Sequence, residues 1–111
     1  MKVTVRKEKD VSIVELEGEA DLAAVPAFQQ AMQTEAKART RRVVVDFSKV
    51  TFVNTPIWAV VVEHYQHATE KGTEIAVAGL NGRVEASFNI VRLGDFIDAF
   101  PTVAEAVAGK K

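Results

Sequence analysis

Apolar and polar residues alternate over residues 2–7 and 11–17, with Val3 and Val5 in the first run and Val11, Ile13 and, after a shift, Val14 and Leu16 in the second. Alternation of this kind is the pattern of a half-buried strand, and the charged Lys-Glu-Lys-Asp between the runs predicts a turn. The chain therefore opens with a hairpin, ended by Gly18. From Leu22 the spacing becomes helical: Val25, Phe28, Met32 and Ala36 follow, with Asp21 placed to cap and Pro26 in a first turn, where its missing N–H costs nothing. Periodicity then disappears. Val43, Val44, Val45 and Phe47 form a continuous β-branched run within RRVVVDFSKVTFVN, as expected of a strand covered on both faces.

A second helix is predicted over about 56–70, with a core stripe of Trp58, Val61, Val62, Tyr65 and Ala68 or Thr69, stopped by Lys71-Gly72. Glu74 to Ala78 reads as a strand leading through Leu80-Asn81-Gly82 into a third helix that ends near Leu93-Gly94. Phe96 and Ile97 predict a short last strand, and Pro101 precedes a final helix from Thr102 to Ala108. Strands separated by helices call for parallel pairing through crossovers. The predicted fold is α/β: a mixed, mostly parallel β-sheet with an amino-terminal hairpin and about four flanking helices.

Composition narrows the possibilities. A chain of 111 residues, 48% hydrophobic, builds one core, so residues 1–111 are expected to form a single domain with a frayed tail over 108–111. A formal net charge of −1 gives no footprint for nucleic acid or an anionic membrane. The one local basic cluster, Arg39, Arg41 and Arg42, falls at a helix-to-strand junction and reads as structural. With no cysteine, disulfides, thiolate nucleophiles and cysteine metal sites are excluded. The charged amino terminus lacks a signal-peptide core and no apolar run reaches the ~20 residues of a membrane helix, which predicts a soluble, cytoplasmic protein without direct membrane insertion.

No enzyme site emerges. His64 and His67, beside Glu63, sit at i and i+3 of the second helix, but the order E-H-x-x-H lacks a third ligand and reads as an exposed polar face, not a metal site. Nothing reads G-x-S-x-G. The turn V-N-T-P before the second helix holds no glycine with which to cradle a phosphate. Glu15, Glu17, Glu19 and Asp21 alternate as a solvated strand face does. No cofactor is implied.

Within FVNTPIW, Thr55 has two readings. Asn54 or Thr55 can accept hydrogen bonds from the free amides of the next helix, with Pro56 at the first helical position. The same placement puts the Thr55 hydroxyl at the positive end of the helix dipole, where a phosphate of roughly −1.5 to −2 charge is stabilised locally while transforming the surface.

The segment GEADLAAVPAF, the strand and turn VVVDFSKVTFVNT, and the stretches RVEASF and LGDFI together resemble the STAS domain, the sulfate-transporter and anti-sigma-factor-antagonist family, over essentially the whole chain. The resemblance implies a binding module: an anti-sigma factor antagonist that docks on a switch-protein serine/threonine kinase, itself the anti-sigma factor, until phosphorylation breaks the docking. It places Thr55 on the phosphorylated residue and Asn54 on the Asp before it. It also implies a partner surface of Asn54, Thr55, Pro56, Ile57, Trp58, Val60, His64 and His67, with Trp58 either packed under the sheet or exposed as a contact anchor. Asn54, Pro56, Ile57 and Trp58 depart from the family's usual Asp, small polar residue and Gly-Leu. Two other roles remain open: a subunit that clamps the ATPase of a membrane lipid-transport complex without any phosphorylation, and a sensory module for a small ligand.

Overall fold

The computed structural model describes residues 1–38 and 40–109, so Arg39 of the basic cluster and Lys110 and Lys111 of the tail lie outside the described residues. Strands β1 (Lys2–Glu8) and β2 (Val11–Ala20) form the expected hairpin, with Val3 opposite Leu16 and Val5 opposite Val14. A 3-10 turn at Leu22–Ala24 leads into helix α1 (Val25–Lys37), and β3 follows over Arg42–Val53. Helix α2 spans Thr55–Lys71, strand β4 Glu74–Ala78, helix α3 Gly82–Ile90, strand β5 Asp98–Phe100 and helix α4 Val103–Ala108. Neighbours in the five-stranded sheet follow chain order, β1-β2-β3-β4-β5, with β1 antiparallel and every later pair parallel.

The unbroken valine run in β3 is explained by what covers it. Val43, Val45 and Phe47 face the larger core, built with Phe28 and Met32 of α1, Ile57, Trp58, Val60 and Val61 of α2, and Val84 and Phe88 of α3. Val44 faces the other side, where Val11, Ile13, Ala76, Ala78 and Phe100 pack beneath Ala106 of α4. A central strand with helices on both faces has no solvent side on which to place polar residues. Beyond the reach of α4, the β1–β2 surface is charged: Glu15 accepts from Arg6 at 3.0 Å and from Lys49 at 3.1 Å.

Several boundaries differ from the sequence expectation. Leu22, assigned to the core stripe of the first helix, lies in the 3-10 turn and is 64% exposed. The third helix stops at Ile90, and a separate 3-10 turn, Leu93–Asp95, follows Arg92, which takes the left-handed conformation at φ 59°. The last strand begins at Asp98, beyond Phe96 and Ile97, because Ile97 turns into the core while Phe96 stays exposed. The final helix starts one residue later than expected, with the Thr102 hydroxyl accepting from the Glu105 amide at 3.2 Å as its cap. Of the basic cluster, Arg41 pairs with Asp10, and Arg42 donates to the Ala106 carbonyl at 2.7 Å and to Glu74 at 3.0 Å, so both are structural.

Candidate functional site

Helix α2 begins where the central strand ends. The Asn54 amide donates to the Ala20 carbonyl at 2.8 Å, which ties the turn to the end of β2, and the Ile57 amide donates to the Asn54 carbonyl at 3.0 Å. Pro56 fits the first turn because its position needs no N–H. Asn54 occupies the cap position in extended conformation, yet its side chain makes no capping hydrogen bond, and Thr55 is already the first helical residue. The capping role expected of Asn54 or Thr55 is therefore not taken. Thr55 is exposed, and among the described residues no cap side chain accepts from the positive end of the helix.

Beneath this turn the structure is closely packed. Trp58 is buried, its indole N–H donating to Ser87 Oγ at 2.7 Å, with its ring 4.9 Å from Phe47 and 5.6 Å from Phe88 in an edge-on arrangement. A buried tryptophan needs a partner for that N–H, and Ser87 on α3 supplies it. The first turn of α2 is thus joined to both the central strand and the neighbouring helix.

The burial of α2 corrects three expected surface residues, Ile57, Val60 and His64, and agrees with the packed one of the two readings of Trp58. Ile57, Trp58, Val60 and His64 all lie in the protein interior and cannot present contacts to a partner in this conformation. Their phase explains it: Ile57, Val60, Val61, His64 and Ala68 follow one another at helical intervals and face the sheet, so the stripe is rotated toward Ile57 from the one anticipated, leaving Val62 and Tyr65 at its margin and Thr69 outside. Thr55, Ala59, Glu63, Gln66 and His67 form the exposed face, and Asn54 and Pro56 are half-buried at its start. His64 and His67 are therefore not one polar surface. Among the described residues no group of His, Asp and Glu could hold a metal ion.

Two residues beside the turn were hidden from sequence reasoning. Phe52 is 44% exposed near the end of β3, opposite Glu19, and Leu22 follows the end of β2 two residues beyond Ala20, the residue bonded to Asn54. Leu22 falls in step with the helical stripe, and Phe52 is not singled out within the apolar run of the third strand. Strict alternation would put Phe52 on the face of buried Val50; it turns outward because the register passes from Gly18–Val50 to Glu19–Phe52, leaving Thr51 as an extra, bulged residue. Together they place exposed apolar surface at the same end of the sheet as the Thr55 hydroxyl, the carboxyl end of the parallel strands, where open α/β sheets commonly place their binding sites.

Comparison with known proteins agrees with this architecture. The family model of the STAS domain matches residues 2–106. No curated protein sequence matches the chain. Among solved structures, an anti-sigma factor antagonist from Mycobacterium paratuberculosis superposes with a TM-score of 0.90 at 20% identity, covering 97% of this chain and 92% of that one. The anti-sigma factor antagonist SpoIIAA in its unphosphorylated form gives 0.85 at 15% identity, covering 97% and 95%. The Bacillus cell fate determinant SpoIIAA in its phosphorylated form gives 0.76 at 14% identity, covering 97% and 98%. At these identities the likeness establishes a shared fold.

Proposed function

Because the chain belongs to the STAS domain family, we propose that it is an anti-sigma factor antagonist: a regulatory binding module that docks on a switch-protein serine/threonine kinase through the turn between β3 and α2. The observation that carries this reading is the state of Thr55: exposed, first in its helix, and placed at a helix start that no cap side chain satisfies among the described residues. A kinase needs an accessible hydroxyl on a defined backbone, and the anchoring of Trp58 to Ser87 three residues along supplies the definition.

The docking surface is Asn54, Thr55 and Pro56, continued along α2 by Ala59, Glu63 and His67 and flanked by Leu22 and Phe52. Large apolar side chains next to a small polar centre supply contact area, while the Thr55 hydroxyl supplies the switch. Phosphate on Thr55 would sit at the amino-terminal end of α2, where the helix dipole favours negative charge. The modified protein would therefore tolerate its own phosphate. Docking would be lost, because about two negative charges would have to be stripped of water inside an interface flanked by Leu22 and Phe52. The role is one of binding, without catalysis, and needs no cofactor.

The test is to incubate the protein with the switch kinases of its own organism and ATP, and to read intact mass for wild type and Thr55→Ala. One added phosphate on wild type and none on the variant is the expected result. Tight binding to a transporter ATPase with no change of mass would overturn it and assign the chain to a lipid-transport complex. Asn54→Asp, which restores the acidic residue of the family pattern, should raise the rate of modification.

A further inference from the structure

His64 is the one histidine the docking surface does not use, and its surroundings are unusual. Its side chain lies in the seam between α1 and α2, 7% exposed, and its Nε2 is fully enclosed without a hydrogen-bond partner. Beside it is a cavity of about 20 Å³ lined by Met32 and Ala36 of α1, Val43 and Ile75 of the sheet, and Ala68 and Lys71 of α2. That volume admits about one water molecule and is too small for an organic ligand, while a wider cleft of about 400 Å³ opens outside it between Gln33, Glu63 and His67; the proton needs no more room than the enclosed space gives.

We infer that His64 makes the α1–α2 seam a pH-sensitive joint, closed when the imidazole is neutral and opened when it is protonated. Of the charged groups around it, only Glu63 favours an imidazolium, and it does so from solvent. On α2, Lys71 and His67 share the cavity wall with it, and Glu63 next to it in sequence is exposed and solvated. On α1, the groups nearest the cavity are Met32, Ala36 and, at its mouth, Gln33, while the buried carboxylate of Glu35 is committed to Ser12 at 2.6 Å. The sheet contributes Val43 and Ile75, and the turn before β4 contributes Thr73, whose hydroxyl already donates to the Thr40 carbonyl.

Burial holds the imidazole below its ordinary value of 6.5, with Glu63 opposing and His67 reinforcing the shift. A lowered histidine means that the open seam binds the proton more readily than the closed one. As pH falls below about 6.5, the opening equilibrium rises by up to about tenfold per pH unit, until the native value is reached. An open seam would free α1 and, with it, the turn that carries Leu22 beside Thr55. That last consequence rests on the docking reading; the opening itself does not.

Hydrogen exchange on the full chain, corrected for the intrinsic pH dependence of the amides, tests the joint from pH 7.5 to 5.5 without any partner. In wild type and His67→Gln, exchange of α1 and the middle of α2 should accelerate by up to tenfold per unit, with α3 and β4 unaffected. His64→Gln should be flat over the same range. The same pH dependence in His64→Gln, or none in wild type, would overturn the inference. Should His64→Gln not fold, the ring resonances of wild type decide: a His64 titrating at or above 6.5 in the closed protein refutes it, and one titrating below supports it. Loss of kinase binding with an intact pH response would count against the docking reading alone.

Discussion

Replacing Trp58 tests the idea that the docking turn is fastened through its underside. Trp58→Ala removes a buried indole from contact with Phe47 and Phe88, a change that costs about 3–5 kcal/mol in a well-packed core. A domain of this size has only about 5–15 kcal/mol of stability, so that variant risks unfolding outright. Trp58→Phe is the more discriminating change: it keeps an aromatic ring in the cluster and removes the hydrogen bond to Ser87 at 2.7 Å. In a double-mutant cycle with Ser87→Ala, the coupling between the two positions should be roughly 1 kcal/mol, the net value of one partly buried hydrogen bond. Urea denaturation followed by far-ultraviolet circular dichroism measures all four proteins, since it needs no tryptophan signal. In wild type, the emission of this sole tryptophan should be blue-shifted and resistant to acrylamide. A coupling indistinguishable from zero, with emission at the wavelength of exposed indole, would refute the claim that α2 is fastened to α3 beneath Thr55.

Three further outcomes follow from particular contacts. Gly79→Ala should destabilise the fold by more than about 1 kcal/mol by urea titration, because Gly79 has φ +73° and an added Cβ would meet Ser48 Cβ at 2.8 Å and its backbone nitrogen at 2.9 Å. Ser12→Ala should cost about 1–3 kcal/mol, since it strips a donor at 2.6 Å from the buried Glu35 carboxylate. The Glu15 carboxyl is held below its ordinary 4.5 chiefly by the hydrogen bond from Lys49, with burial opposing and Arg6 adding to the effect. A lowered carboxylate stabilises the fold fully above about pH 4.5, and that contribution is lost as pH falls through the lower native value. Lys49→Met should therefore lose less stability than wild type on acidification across that window, and the difference should shrink in high salt.

The sheet was legible because its residues carry its period. Alternation marks β1 and β2, and the valine run of β3 announces a strand with helices on both faces. The phase of α2 was not legible, for a physical reason: Ile57 to Val62 is apolar at every position, so several stripes fit equally well. His64 then biased the choice, since a histidine reads as polar while here it fills the buried stripe. The Ser12–Glu35–Thr40 cluster is formed by residues 23 and 28 positions apart in pairs with Ser12, which no local pattern can reveal. Thr55 was marked as an acceptor by the resemblance alone. Local physics predicted a capping contact that is not made, and its absence leaves the hydroxyl free for the role the resemblance implies.

The acceptor residue and its apolar flanks together make up the central claim, and one binding measurement addresses both. Titration of the switch kinase with wild type, Thr55→Glu and the double variant Leu22→Ser/Phe52→Ser should give saturable binding for wild type. Affinity should fall by tenfold or more for each variant, with unchanged far-ultraviolet spectra. Equal affinity for all three proteins would contradict the account.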